Sequence, residues 1–144
     1  MADLVVEVKR VINASIEEVF KAWTEPEQMK QWYSPEGMTT PEAASDNKKG
    51  GKYHVQMKMG EQKFDMHGKY LEYEEPNPST SSGQAKLVFT WNHDDSVVRV
   101  DFKKLDDNKT EVALKHTGFA NEQSRAQHDE GWVGTFNKLG KFFS

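Results

Sequence analysis

The C-terminal segment, residues 121–144, constrains the fold most. Within it Trp132, Phe136, Leu139 and Phe143 recur at steps of four, three and four, which sets four large apolar side chains on one stripe of an α-helix. Asn121 suits the N-cap and Glu122 the positive end of the helix dipole, while Lys138 and Lys141 suit the other end. Arg125, His128 and Asp129 fall on or beside the same stripe, so the helix is polar toward its start and apolar toward its end. A helix about 33 Å long, at ~1.5 Å per residue, needs a broad surface to pack against. The rest of the chain reads mostly as strands, so that surface must be a sheet.

Residues 4–12 alternate, with Leu4, Val6, Val8 and Ile12 on one side and Glu7 and Lys9 on the other, as in a strand with one wet face. Ser15 and Glu18 have capping-box spacing, so a helix starts there and presents Val19, Phe20 and Trp23. Pro26 ends it and opens a second short helix, which buries Met29, Trp32 and Tyr33 and stops at Pro35 and Gly37. Residues 38–46 form a weak strand, and Pro41 argues for an edge position.

After a turn at 47–51, Tyr53, Val55, Met57 and Met59 alternate with polar residues. Past Gly60-Glu61, Phe64, Met66, Gly68 and Tyr70 do the same. Residues 74–83 include Pro76 to Gly83, a polar and mobile loop. Alternation resumes in Ala85, Leu87, Phe89 and Trp91. Residues 92–96 then read as a turn before Val98, Val100 and Phe102. After a turn at 106–108 comes the last alternating set, Val112, Leu114 and His116, and Gly118 breaks it. The order is strand, two helices, six strands and a long helix. Short turns pair such strands antiparallel, and a curved sheet wrapped around the last helix satisfies the pattern. The 144 residues read as a single domain, 1–144, without repeat or linker.

The net charge of −4, without any Lys/Arg run, disfavours nucleic acid. The absence of cysteine removes disulfides, thiolate nucleophiles and Cys-ligated zinc. No apolar stretch approaches the ~18 residues that span a bilayer, and no signal peptide is read at the start, so the expectation is a cytoplasmic monomer without membrane insertion.

Several stretches, taken in order, resemble a known family. They are residues 12–24 followed by Pro26-Glu27 and Trp32, then Gly50-Gly51, Gly68-Lys69-Tyr70, Leu87-Val88-Phe89-Thr90-Trp91, Thr110-Glu111-Val112, His116-Thr117-Gly118-Phe119 and Gly131-Trp132. Together they resemble the START-like (SRPBCC) superfamily, in the branch named after the activator of heat-shock protein 90 ATPase. The resemblance implies an α+β helix-grip fold with a cavity between the last helix and the sheet. It implies binding of an apolar lipid-like, polyketide or aromatic small molecule. The same resemblance carries two alternatives, a stress-linked chaperone-regulating interaction and a small-molecule cyclase or lyase.

The five histidines, His54, His67, His93, His116 and His128, include no HExxH or comparable pair, so no metal site or cofactor is expected. Nucleophile elbow, P-loop and paired carboxylates are all missing, which favours a binding protein over an enzyme and names no catalytic residue. His116 falls on the inward face of the last strand, either as a core histidine or as a polar contact at a cavity wall. The candidate ligand-binding residues are Phe20, Trp23, Trp32, Tyr53, Met57, Phe64, Met66, Phe89, Trp91, His116, Phe119, His128, Trp132 and Phe136. Inward methionines adapt to varied apolar ligands, and Trp and His offer single polar contacts in an apolar wall.

Overall fold

The computed structural model describes residues 4–76 and 83–144, with His93 and Asp94 described in backbone only. The loop expected over 74–83 therefore lies mostly outside the described residues. Among the described residues seven strands and three helices follow one another as β1 (Val6–Ile12), α1 (Ile16–Thr24), α2 (Pro26–Trp32), β2 (Thr39–Ser45), β3 (Lys52–Met59), β4 (Gln62–Glu74), β5 (Gln84–Trp91), β6 (His93–Asp106), β7 (Lys109–Thr117) and α3 (Glu122–Phe142). This is the α+β helix-grip arrangement, a curled antiparallel sheet closed by a long terminal helix.

Local signals set the helix bounds. The Ser15 hydroxyl caps α1 by accepting from the Glu18 N–H at 3.2 Å and donates to the Glu18 carboxylate at 3.3 Å. Glu25 ends α1 and precedes Pro26, whose missing N–H and fixed φ suit the first position of α2. Asn121 caps α3 by accepting from the Ser124 N–H at 2.8 Å.

The strand order is β1-β7-β6-β5-β4-β3-β2, antiparallel throughout. Irregularities at Thr39/Glu42, Tyr70/Glu72, Thr90/Trp91 and Lys104/Asp106 bend the strands and add twist. Pro41 falls inside the first of these, on the edge strand β2. Both edge strands are shielded: α2 packs against β2 and α3 runs beside β1.

The segment expected as a turn at 92–96 is mostly strand, because β6 starts at His93. Asn92 alone makes the reversal, with a positive φ of 68° that Asn tolerates better than most residues. Its backbone N–H donates to the His67 carbonyl at 2.7 Å, and its Oδ1 accepts from the His67 N–H at 2.9 Å. Polar composition signalled a loop, and those long-range bonds to β4 overrode it.

Candidate functional site

The interior divides along α3. Toward the C-terminal half of α3, aromatic rings fill the space. Trp23, only 1% exposed, meets Trp32 at a centroid distance of 4.7 Å, Tyr33 at 5.7 Å, Phe136 at 5.8 Å and Phe102 at 6.0 Å, all edge-on. Phe20 adds edge contacts to Phe102 and Tyr73, both at 5.4 Å. The Trp32 indole N–H donates to the Ala22 carbonyl at 3.1 Å, which locks α2 onto α1.

Toward the N-terminal half of α3 the packing opens into a groove of about 330 Å³. Its walls are Tyr33, Pro35 and Met38 from the α2–β2 connection, Met57, Met59, Phe64 and Met66 from the β3–β4 hairpin, Trp91 from β5, and Gln127, His128, Gly131, Trp132 and Thr135 from α3. The helix explains the opening. Gln127, Gly131 and Thr135 form one i, i+4 row, and none of the three carries a large apolar group. The neighbouring row, His128, Trp132 and Phe136, supplies bulk on one side only. Gly131 and Gly134 also let residues 35–36 cross the helix closely: a Cβ on Gly134 would lie 2.9 Å from the Glu36 nitrogen.

The rim is held by polar bonds. The Lys138 ammonium donates to the Ser34 hydroxyl at 2.6 Å and to the Met38 carbonyl at 3.0 Å, tying α3 to the α2–β2 connection. Burial lowers its pKa below the ordinary lysine value, against the opposing pull of Glu36. Behind Trp132 lies His116, fully buried. Its Nδ1 accepts from the Trp132 indole N–H at 3.0 Å, so the ring proton sits on Nε2 and faces the Ser96 hydroxyl at 2.7 Å. His128 packs edge-on against His116 at 5.3 Å, and its Nδ1–H donates to the Ser124 carbonyl at 2.8 Å. Burial raises the Tyr33 hydroxyl pKa well above its usual value, and Tyr53 and Tyr70 reinforce the shift. Tyr53 is raised in the same way, and Tyr70 reaches about 12.

Of the fourteen residues singled out from sequence, the groove brings together Met57, Phe64, Met66, Trp91, His128 and Trp132. Phe20, Trp23, Trp32 and Phe136 belong to the filled aromatic end. Tyr53 and Phe89 pack on each other at 5.2 Å in mid-sheet, and the Tyr53 hydroxyl is used by the Thr90 carbonyl at 2.5 Å. His116 and Phe119, 4.5 Å apart, back the wall without lining it.

Tyr33, Pro35, Met38, Met59, Gln127, Gly131 and Thr135 line the groove without having been singled out. Strand alternation could have added Met59 to Met57. The sequence places Tyr33 on the buried side of the second helix, as it does Trp32; nothing local signals the other five, because they meet only through the crossing of α3 and the α2–β2 connection. Among the described residues, no three His, Asp or Glu side chains are placed to share a metal ion, and no helix is long and apolar enough to cross a membrane.

A half-barrel sheet gripping a terminal helix, with a groove between them, defines a START-like (SRPBCC) domain. The sequence pattern of the family described as activator of Hsp90 ATPase homolog 1-like protein matches residues 13–144, and the chain belongs to that family. A crystal structure of a protein from Nitrosomonas europaea is similar, at 19% identity and TM-score 0.75, over 99% of this chain and 95% of that one. A solution structure of an Arthrobacter aurescens protein has 16% identity and TM-score 0.76, over 98% and 86%. Micromonospora echinospora CalU16 has 21% identity and TM-score 0.64, over 97% and 76%. At these identities the likeness concerns the fold. No curated protein matches the chain. Family membership supports a ligand-binding domain in general.

Proposed function

We propose that this protein binds a small aromatic molecule in the groove between α3 and the β3–β4 hairpin. The observation that carries this reading is the make-up of the groove. Four methionines and four aromatic rings surround about 330 Å³, and apart from the Tyr33 hydroxyl and the indole N–H groups the polar side chains, Gln127, His128 and Thr135, all come from α3. That volume is at the small end for ligand pockets, which run from ~300 to ~1,000 Å³. Thioethers and ring edges favour a flat π-system over a long acyl chain. His128 holds its Nδ1 proton on a backbone carbonyl, which leaves Nε2 as an acceptor for a ligand hydroxyl or N–H. Thr135 already donates to the Gly131 carbonyl at 2.8 Å. His128 is therefore the orienting group in this reading, and His116 supports it by fixing Trp132.

The test is a titration with hydroxylated bicyclic and tricyclic aromatics, followed by the methyl signals of Met57 and Met66 and the indole signals of Trp91 and Trp132. Saturable shifts at these four positions, lost in Thr135→Leu, support the groove as the site. Shifts that persist unchanged in Thr135→Leu, or none from any such compound, overturn it.

A further inference from the structure

The outer face of the β3–β4 ribbon, turned away from α3, carries charge in an order unlike the rest of the sheet. The register sets Lys52 opposite Lys69, His54 opposite His67 and Lys58 opposite Lys63. Like charges directly opposed weaken a ribbon. Elsewhere the opposed charges are mixed in sign: Glu7 faces Lys115, Lys86 faces Asp101 and Lys103 faces Glu111. Arg99 does face Lys115, but Arg99 is bonded to Asp101 at 2.9 Å and Lys115 has Glu7 on its other side. On a chain of net charge −4, one ribbon face thus sets two lysine pairs and a histidine pair in register, with Asp65, opposite Gln56, as the acidic group of these rows.

Two of these rows border a cleft of about 470 Å³. Lys52, His54, His67 and Lys69 surround it, over a floor that includes Gly68 and Thr90. A Cβ on Gly68 would lie 2.0 Å from the Thr90 carbonyl oxygen, so the floor is backbone that only glycine permits. No carboxylate is among the lining residues, and among the described residues neither Lys52 nor Lys69 is in an ion pair. By register Asp65 and Glu42 sit one row toward the hairpin tip, while Asp46, whose backbone N–H donates to the Lys52 carbonyl at 2.9 Å, stands beside Lys52 with its carboxylate 3.8 Å from the Lys48 ammonium. Asp65 accepts from His54 Nε2 at 3.1 Å and from Gln56 Nε2 at 3.3 Å. It thereby fixes the His54 ring beside the cleft.

We propose that this cleft binds a phosphate group. Cross-strand partners stand ~4.5–5.5 Å apart at Cβ and successive rows ~6.8 Å apart, so the two ammonium groups can close on one dianion from both strands. The His67 imidazole adds a directional donor. The cleft is larger than one phosphate and has room for part of the molecule that bears it. The site lies on the opposite face of the sheet from the groove and does not depend on what the groove binds. A soluble phosphoester and a phospholipid headgroup present the same chemistry.

The test uses the full chain. Inorganic phosphate and pyrophosphate are titrated while the backbone amides of residues 52–54 and 67–69 are followed. In parallel, vesicles of anionic and of zwitterionic phospholipid are tested by co-sedimentation. Saturable shifts confined to those amides, weakened about tenfold or more in Lys52→Gln/Lys69→Gln and unchanged in Lys9→Gln/Lys104→Gln, assign a soluble phosphate ligand. Sedimentation with anionic vesicles alone, lost in the first double variant and kept in the second, assigns a headgroup. Because the lysines repel each other, the first variant melts no lower than the parent, and phosphate raises the melting temperature of the parent only. No binding in either arm, or equal weakening by both variants, overturns the proposal.

Discussion

The two ends of the interior share one helix and one sheet, yet they differ in how they are filled. At one end Trp23 touches five other aromatic rings and is almost wholly buried. At the other, Met59 and Phe64 remain 49% and 39% exposed at the lip of the groove. Apolar side chains facing inward are common to both. The difference lies in what faces them. The filled end receives Phe136 and Leu139 from α3, whereas the groove receives Gln127, Gly131 and Thr135. Packing is thus concentrated where the helix row is bulky, and open space is left where that row is small.

The largest expected effect is at the filled end. Trp23→Ala should cost ~3–5 kcal/mol, the range for removing a large buried aromatic, measured by urea denaturation. Phe64→Ser at the groove lip should stay within ~0.5 kcal/mol. Similar losses at both sites would erase the distinction.

Next comes the wall that separates the two ends. His116→Leu leaves the Trp132 N–H without its acceptor and the Ser96 hydroxyl without its partner in buried surroundings. A loss of ~1–3 kcal/mol per orphaned group is expected, together with a shift of the Trp132 indole N–H resonance. An unmoved indole signal would show that His116 does not position the wall.

Alkaline pH probes the buried tyrosines, which span both ends. Tyr33, Tyr53 and Tyr70 have folded-state pKa values raised above their unfolded ones, chiefly by burial. Their contribution is therefore complete below the unfolded value of ~10 and is lost as pH climbs through the folded values. Lys138 works in the other sense. Its lowered pKa means that the penalty for burying its charge fades as pH rises toward the unfolded value of ~10.4. Three tyrosines outweigh one lysine, so unfolding free energy should fall above about pH 10. Tyr70→Phe should flatten that slope. A stability that rises through the same window would contradict the assignment.

The smallest effect on stability accompanies a visible effect on binding. Met59→Ala should cost little, because that side chain is half-exposed at the groove lip, yet weaken an aromatic ligand by about tenfold, the equivalent of ~1.4 kcal/mol. Calorimetry on the intact chain measures it.

Most of the fold was legible in the sequence because it rests on short-range periodicity. Alternation placed Tyr53, Val55 and Met57 inward, capping chemistry started α1 at Ser15 and α3 at Asn121, and Pro26 divided the two small helices. The turn expected at 92–96 failed because Asn92 is held by His67, 25 residues away.

For the candidate site the sequence went only halfway. It determined which side chains face the interior, since inward or outward is decided by a residue's own place in a repeat of two or 3.6. Whether an inward side chain meets a ring or a void depends on which residue of a distant element lies across from it. That pairing was decided only when α3 crossed the sheet with Gly131 and Thr135, rather than Phe136 and Leu139, over the β3–β4 hairpin.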